Sequence, residues 1–228
     1  MRGNRTAARY QCTMAFERQA RAHGYQRIAG ADEAGRGALF GPVFAAAVVL
    51  SPDRPIRGLN DSKLIEPPER VALSQLIRER ALACSVAAAD CFEVDRWNIL
   101  QASRLALRRA VQSLDPACDY LLVDWVRLDW PGPQQPLVHG DARSRSIAAA
   151  SILAKVARDE CMMRWDAVFP EYGLAGNKGY PTPDHRAALD RFGPTFLHRF
   201  SYAPVLAASR VVLRPEQANL FAAAGGAN

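Results

Sequence analysis

Four acidic residues follow predicted strands. Asp32 and Glu33 come directly after the segment 27–31, Asp124 ends the apolar run 120–123, and Asp141 follows the segment 137–140 just before a long helical stretch. Each acid alone has an ordinary explanation, namely a strand end that reaches solvent or, for Asp141, a helix N-cap. Three strand ends that all finish in acids instead indicate one site, because sites of open α/β sheets form at the carboxyl ends of the strands.

A cluster of these carboxylates would suit divalent metal ions. Like charges close together raise one another's pKa values unless cations neutralise them. Carboxylate sites select hard ions such as Mg²⁺ or Mn²⁺, and two such ions about 3.5–4 Å apart suit in-line attack at phosphorus. No histidine–serine or cysteine–histidine pairing offers a better nucleophile, and we expect His139 to be structural or peripheral.

A glycine-rich turn, Gly35-Arg36-Gly37, closely follows the first two acids. Glycines let a ligand approach the backbone, and exposed N–H groups suit anions or hydroxyls. The simpler interpretation is a tight turn between two strands. The turn is not a dinucleotide fingerprint, because it lacks the G-x-G-x-x-G spacing and leads into a strand rather than a helix.

Hydrophobic patterning predicts one α/β domain that would position these residues. We expect strands at 26–32, 42–50, 84–89, 119–123 and 135–139, and helices at 6–23, 67–82, 94–114 and 144–168, followed by helical and irregular segments. This order predicts a mixed sheet with helices packed on its faces.

The composition is that of an ordinary globular protein. The 228 residues are 49% hydrophobic and 23% charged with a net charge of +6, which excludes a fibrous or wholly disordered chain and is weak evidence for a polyanionic partner. The apolar stretch 40–50 is too short to span a membrane, and the charged N-terminus is not a signal peptide. Five cysteines without a C-x-x-C pair favour reduced thiols. We expect a cytoplasmic protein.

Seven segments, in this order, resemble the ribonuclease HII family. They are IAGADEAGRGALFGPVFAAAVVL (28–50), LNDSKL (59–64), WNILQAS (97–103), LLVD (121–124), HGDARSRSIAAASILAKVARD (139–159), NKGYPTPDH (177–185) and HRFSYAPV (198–205). The matches extend over residues 26–205, and chance agreement of that length is not credible.

The resemblance implies the ribonuclease H-like fold, a five-stranded mixed sheet flanked by helices, here with a helical C-terminal segment. It implies an endonuclease that cuts on the 5′ side of a ribonucleotide embedded in duplex DNA, and also cuts the RNA of RNA–DNA hybrids. Catalysis would use two divalent ions, Mg²⁺ or Mn²⁺, and leave 3′-hydroxyl and 5′-phosphate ends. The family's catalytic, metal-binding acids fall on Asp32, Glu33, Asp124 and Asp141.

The resemblance also implies substrate-binding residues. Gly35, Arg36 and Gly37 match a turn that contacts the ribose 2′-hydroxyl, the group that distinguishes RNA from DNA, and neighbouring phosphates. Tyr180 matches a tyrosine beside the junction, where its ring can stack on a sugar. Lys63 matches a residue near substrate phosphates.

Two further basic residues, Lys155 and Arg158, lie three residues apart and so on one helix face. Contact with phosphate is one interpretation for both. A solvated helix face, or a pair with Asp159, explains them equally well.

The chain departs from the family pattern at two places. Ala38-Leu39-Phe40 stands where Pro-Leu-Ala is usual, and Trp125 follows the third acid where a glycine or small residue is usual. These departures leave the catalytic acids in place and bear on substrate preference.

Near the C-terminus, Gln217, Leu220 and Phe221 are spaced as in the Gln-x-x-Leu-Phe peptide with which bacterial proteins dock on the replication sliding clamp. Two apolar anchors and one amide suit a preformed pocket. A last helical turn that folds back on the core through Leu220 and Phe221 is an equally good explanation.

We therefore expect an N-terminal helical extension (1–25), a catalytic domain (26–205) and a C-terminal tail (206–228) that could bind a clamp. Nothing in the sequence requires more than a monomer. Two alternatives stay open: a junction nuclease on the same fold, and a non-catalytic nucleic-acid-binding module.

Overall fold

Residues 10–211, described by a computed structural model, form a five-stranded sheet with helices on both faces. The strands are β1 (Ile28–Ala34), β2 (Val43–Val49), β3 (Ala83–Ala89), β4 (Tyr120–Asp124) and β5 (Gln134–Leu137). The α-helices are α1 (Ala15–Ala22), α2 (Pro67–Arg80), α3 (Cys91–Gln112), α4 (Arg145–Asp166), α5 (Leu174–Asn177), α6 (Pro183–Phe192) and α7 (Ala203–Val211). The predicted order of elements is confirmed.

The sheet is mixed, in the order β3-β2-β1-β4-β5. The pairs β1–β2 and β2–β3 are antiparallel, whereas β1–β4 and β4–β5 are parallel. Ala31 pairs with Val123, so the next residues, Asp32 and Asp124, follow side by side on neighbouring strands. The parallel strands thus bring the predicted carboxylates to one edge of the sheet.

The central strand β2 is apolar on both faces because both faces are covered. Ala45, Ala47 and Val49 pack in the core under α3, while Ala46 and Val48 pack in the core under α2 and α4. Alternating residues of a strand point to opposite faces, so a strand buried on both sides is an uninterrupted apolar run.

Gly30 allows α4 to lie directly on β1. A Cβ atom at this position would clash with the backbone of Ser146 and Ile147 in the first turns of α4. The short 3₁₀ turn Gly140–Ala142 precedes α4 and carries Asp141. The close packing at Gly30 therefore sets where Asp141 stands relative to β1.

The predicted helix at 6–23 is wrong for residues 10–14, since α1 begins at Ala15. Thr13 instead forms an isolated bridge with Ser144. Its amide donates to the carbonyl of Arg143 at 3.2 Å, and its carbonyl accepts from the amide of Arg145 at 3.1 Å. These backbone hydrogen bonds to a distant segment replace helical ones, and residues 6–9 lie outside the described part of the chain.

Two strand boundaries also differ from the predictions. The first predicted strand ends at Asp32, but β1 also includes Glu33 and Ala34, because β2 continues to pair with them. The last strand ends at Leu137 instead of 139, because His139 has a left-handed backbone with φ 57°.

The C-terminal helices pack on the segment that follows the glycine turn. Leu39 and Phe40 share a core with residues of α4, α6 and α7, and the amide of Leu39 donates to the carbonyl of Gly179 at 2.8 Å. This contact brings the loop before α6, with Tyr180, to the edge of the sheet that carries the acids. Between residues 10 and 211, no helix combines the length and the apolar character needed to cross a bilayer.

Candidate active site

One cavity of about 550 Å³ brings together every residue proposed for the site from the sequence. Its lining includes the four acids, the glycine turn, the lysine and the tyrosine: Asp32, Glu33, Asp124, Asp141, Gly35, Arg36, Gly37, Lys63 and Tyr180. Residues up to 148 positions apart in the chain, from 32 to 180, thus share one concave surface. The roles assigned to them stay predictions, but their juxtaposition is a property of the fold.

Asp32 is the most deeply buried of the four acids, with 5% of the residue exposed. Burial raises the pKa of its carboxyl well above the usual value, and the charges of Glu33, Asp124 and Asp141 raise it further. A hydrogen bond from the backbone amide of Glu33, at 2.7 Å, opposes the shift only in part. A carboxylate in such surroundings is stable in its charged form only beside a cation.

Asp124 and Asp141 are held by backbone amides on the loop after β5. The amide of Gly140 donates to Asp124 Oδ1 at 2.7 Å, and the amide of Ala142 donates to Asp141 Oδ1 at 2.9 Å. Burial still raises the pKa of Asp124. Asp141 is not the helix N-cap, since Ser144 accepts from the amide of Ile147 and caps α4. Asp141 is therefore free for another role.

Glu33 points to the opposite face of β1 from Asp32, as neighbouring strand residues do. Its Oε1 accepts a hydrogen bond from Trp125 Nε1 at 2.9 Å and lies 3.5 Å from Arg36 Nη1. Its Oε2 is buried and has no hydrogen-bond partner. Burial raises the pKa of Glu33, while the Trp125 hydrogen bond and the Arg36 charge oppose the shift.

Lys63 reaches the acids from the loop before α2. Its Nζ lies 3.3 Å from Asp141 Oδ2 and 3.5 Å from Asp61 Oδ1. Burial lowers the pKa of Lys63, but the charges of Asp141, Asp61 and Asp32 outweigh it, so the pKa lies above its usual value. The positively charged form of Lys63 is therefore favoured, and it lies at the mouth of the cavity.

Arg158 is fully buried, and the structure does not support its interpretation as a phosphate contact. It donates from Nη1 to the carbonyl of Lys178 at 2.7 Å. It lies under Gly35, which has φ 96° and where a Cβ atom would clash with the guanidinium. Its Cζ is 5.0 Å from the centre of the Tyr180 ring. Arg158 supports the turn and the tyrosine from below.

Lys155 lines the cavity and forms an ion pair with Asp159. This pair is one of the interpretations that the sequence left open. The distance from Lys155 Nζ to Asp159 Oδ1 is 2.6 Å, and the lysine side chain is largely buried. Its Nζ also lies 5.8 Å from the centre of the Tyr180 ring. Phosphate contact by Lys155 would have to compete with this ion pair.

Some residues of the site region have no functional signal in the sequence. Ser62, Ser151 and Trp125 line the main cavity. A second cavity of about 470 Å³ shares Lys63, Asp124 and Asp141 with it and is closed by residues 10–12 and His139. The ring of Tyr10 stacks on His139 with centroids 5.7 Å apart. Of these additional residues, the sequence drew attention only to Trp125, as a departure from the family pattern, and to His139, which was expected to be structural or peripheral.

The donor set fits hard divalent ions. Carboxylate oxygens come from Asp32, Glu33, Asp124 and Asp141. Glu33 Oε2 is buried and lacks the hydrogen bond that buried polar atoms normally have. Within residues 10–211, no three histidine, cysteine or acidic side chains are grouped closely enough to hold a metal ion by themselves. Ions held here would need water or substrate oxygens as further ligands, which is usual for Mg²⁺.

Comparison with known proteins finds relatives that match most of the chain. Residues 29–205 match the family model described as ribonuclease HII. The chain is 56% identical over 228 residues to ribonuclease HII of Solibacter usitatus, covering 100% of both chains. It is 52% identical over 205 residues to ribonuclease HII of Koribacter versatilis, covering 90% of this chain and 81% of that protein.

Solved structures share the fold. Ribonuclease H2 from Pyrococcus horikoshii OT3 superposes with a TM-score of 0.70 at 24% identity, covering 81% of this chain and 98% of that one. RNase HII in the PCNA:RNase HII complex from Archaeoglobus fulgidus gives 0.63 at 25% identity, covering 73% and 88%. Bst-RNase HIII, solved in complex with Mn²⁺, gives 0.66 at 20% identity, covering 86% and 73%. The ribonuclease H-like fold predicted from the sequence is confirmed.

Proposed function

The chain belongs to the ribonuclease HII family and is a ribonuclease H, and we propose that it cuts on the 5′ side of ribonucleotides embedded in duplex DNA. The same site would cut the RNA of RNA–DNA hybrids, leaving 3′-hydroxyl and 5′-phosphate ends. Family membership, rather than the acids alone, decides against a junction nuclease and against a non-catalytic binding module.

The observation that carries this proposal is the shared cavity. The acids, the turn Gly35-Arg36-Gly37 and Tyr180 line the same surface. The residues proposed for cleavage and those proposed to read a ribose 2′-hydroxyl thus lie next to each other, which supports the proposal. This juxtaposition is what cleavage at one ribonucleotide within DNA requires.

Asp32, Glu33, Asp124 and Asp141 would hold two divalent ions, Mg²⁺ or Mn²⁺. Bound Mn²⁺ in Bst-RNase HIII, which has the same fold, supports the use of a divalent ion. Such ions would supply a nucleophilic water at neutral pH and charge that stabilises the leaving oxygen. The protein's own contribution is to fix the carboxylate oxygens through the amides of Glu33, Gly140 and Ala142.

The glycine turn and Tyr180 would recognise the substrate. The space beside Gly37 is open and leaves room for the sugar, whereas the corresponding space at Gly35 is filled by Arg158. Arg36 lies at the cavity with 41% of its side chain exposed, suited to a phosphate. Tyr180 would stack on the sugar at the junction. Lys63, exposed beside Asp141, would approach a substrate phosphate.

Cleavage of an end-labelled duplex with one ribonucleotide tests the proposal. We expect a single cut on the 5′ side of the ribonucleotide with Mg²⁺ or Mn²⁺, and none with EDTA or in an all-DNA duplex. Cleavage only of a four-ribonucleotide or all-RNA hybrid would keep the chemistry and overturn the junction specificity. Absence of cleavage in all three substrates would overturn the proposed function.

We also propose a partner, the replication sliding clamp, through Gln217, Leu220 and Phe221, which lie outside the described residues. The support is the peptide pattern and the PCNA complex of the Archaeoglobus fulgidus protein. Deleting 217–221 should abolish clamp binding, measured by biolayer interferometry, and leave cleavage of free duplex unchanged. No affinity in the full chain, or the same affinity after deletion, would contradict the proposal.

The division into 1–25, 26–205 and 206–228, a monomeric state and a cytoplasmic location stay predictions. The structure adds information on the boundary between residues 25 and 26, because α1 packs on the catalytic domain through Glu17 and Ala20. We propose that this helix folds together with the domain.

A further inference from the structure

Trp125 occupies a backbone position that disfavours any side chain. Its φ is 46°, in the left-handed region that mostly takes glycine. The residue directly follows the catalytic candidate Asp124 and is part of the cavity lining. A tryptophan retained here must make contacts that offset this conformational cost, and two such contacts are present.

The first contact is a hydrogen bond to a metal-ligand candidate. Trp125 Nε1 donates to Glu33 Oε1 at 2.9 Å, and the Glu33 side chain is only 4% exposed. Arg36 Nη1 approaches the same Oε1 at 3.5 Å. Both protein donors engage one oxygen and leave Oε2 without a partner. The indole N–H thereby fixes which oxygen of Glu33 is available to an ion.

The second contact is made by the face of the indole ring. The Arg36 guanidinium carbon lies 4.1 Å from the ring centre, within the range of a cation–π interaction. The Arg36 backbone is anchored separately, since its carbonyl accepts from Arg199 Nη1 at 2.9 Å and from the Tyr202 hydroxyl. Only the long side chain of Arg36 would otherwise be free to move, and Trp125 and Glu33 hold it.

We propose that Trp125 is a positioning residue that joins the metal-binding and recognition halves of the site. Its N–H orients Glu33 for a divalent ion, and its ring orients Arg36 toward the substrate. The inference rests on the proposed function, because it takes Glu33 as an ion ligand and Arg36 as a substrate contact. The two contacts use different parts of one side chain, so they can be removed one at a time.

The competing explanation is packing alone. Trp125 also packs against the core under α3. Replacing a residue that only fills this space would change the melting temperature. It would not give one variant that loses ion affinity alone and another that also has a higher Michaelis constant. The choice of variants makes use of this difference.

Trp125→Phe removes the N–H and keeps a ring for Arg36. In calorimetric titration of the protein with Mn²⁺, without substrate, we expect about 10-fold weaker binding, the low end of what loss of a ligand-orienting hydrogen bond causes. The KM for the ribonucleotide duplex at saturating Mn²⁺ should change less than about 2-fold, since the ring remains.

Trp125→Gly removes both contacts and suits the left-handed backbone. We expect the same loss of Mn²⁺ affinity and, in addition, a rise of about 5-fold in KM from the loss of the cation–π contact. Trp97→Phe is the matched control, because Trp97 is half exposed and has Arg96 4.7 Å from its ring centre but does not line the cavity. It should change neither quantity.

Wild-type Mn²⁺ affinity in the folded Trp125→Phe variant, checked by circular dichroism, would overturn the proposal. So would a further loss of affinity when Trp125→Phe is added to Glu33→Gln, since the hydrogen bond acts through Glu33. If Trp125→Gly does not fold, Trp125→Phe and this double variant still test whether the hydrogen bond to Glu33 affects Mn²⁺ affinity. Failure of the wild type to cut any ribonucleotide substrate would instead reject the proposed function, and the Mn²⁺ titration would still measure the contact to Glu33.

Discussion

At the level of single residues, the candidate site is a set of carboxyl groups whose surroundings oppose their charged form. Asp32, Glu33 and Asp124 all have raised pKa values, with burial as the main cause. Lys63 is the cation nearest to Asp141 and offsets only part of this charge. A cation bound among these carboxyls would therefore favour their charged forms.

Asp124→Asn should bind substrate nearly as well as the wild type and lose almost all turnover. The amide oxygen can still accept from the backbone of Gly140, so the loop keeps its geometry. The lost negative charge weakens the ion site, and we expect kcat to fall by about 100-fold or more. Steady-state kinetics on the single-ribonucleotide duplex would check this, and full activity would show that the acids are misassigned.

Metal binding should strengthen with pH and release protons. A carboxyl must lose its proton before it can bind an ion, and the raised pKa values of Asp32, Glu33 and Asp124 extend this competition to higher pH. Calorimetric titration with Mn²⁺ at pH 5.5 and 7.5, in two buffers of different ionisation enthalpy, measures both effects.

Asp32→Asn is the control for that experiment, because it removes the most buried of these carboxyls. We expect it to release fewer protons at pH 5.5 than the wild type does. Equal affinity of the wild type at both pH values, without proton release, would contradict the assignment of these acids as ion ligands.

Among the elements, α6 is tied to the segment before α7 by two buried histidines. The Thr195 amide donates to His198 Nδ1 at 3.0 Å, so His198 must carry its proton on Nε2 and donate to His185 Nε2, 3.1 Å away. His185 then donates from Nδ1 to the carbonyl of Tyr180 at 3.0 Å. Both rings are neutral in this chain of hydrogen bonds, which ends at a residue of the site.

The histidine pair should make the protein sensitive to acid. Burial, together with the nearby His185, lowers the pKa of His198 to about 3. The unfolded chain therefore binds a proton that the folded chain excludes, and stability falls as pH falls from about 6.5 toward 3, by at most about 1.4 kcal/mol per pH unit.

His198→Gln tests this link. At pH 7 the variant should be less stable than the wild type by about 1 kcal/mol, because hydrogen bonds are lost. The difference should shrink and reverse by pH 5, because only the wild type must exclude the proton from position 198. Urea unfolding at both pH values measures the difference, and a constant gap would refute the explanation.

Across the whole molecule, the N-terminal segment reaches the site through α4. Glu17 of α1 is buried, and its Oε1 accepts from the Ser144 hydroxyl at 2.7 Å and from the Ser146 amide at 2.9 Å. Both donors lie at the start of α4, directly after Asp141. The preceding residues 10–12 close the second cavity. The segment 10–22 thus supports the wall of the candidate active site.

Glu17→Ala should destabilise the fold by about 1–3 kcal/mol, since it leaves two donors at the start of α4 unpaired. Urea denaturation would show this change. Arg18→Ala is the control, because Arg18 is the exposed neighbour on the same helix, and it should change stability by less than about 0.5 kcal/mol. Equal stability of the two variants would show that α1 does not contribute to the domain.

Much of the architecture could be predicted from local patterns. The apolar run of β2 and the helical composition of α4 could be recognised from the chain alone, because both are properties of neighbouring residues. The acids at strand ends indicated a site because charge is rare beside buried strands. The start of α1 was not predictable, since Thr13 pairs with a segment 131 positions away, at Ser144.

The roles of the side chains around the acids depend on contacts between distant parts of the chain. Arg158 lies on the same α4 helix as Lys155, yet the approach of Gly35 and Tyr180 buries it as a support. Trp125 is a departure from the family pattern in the sequence, and only the fold places its N–H on Glu33 and its ring under Arg36. Residue types and periodicity specify which chemistry is available and which elements form, because both act over a few neighbouring residues. Which groups meet is decided by packing, because it joins residues that are far apart in the chain.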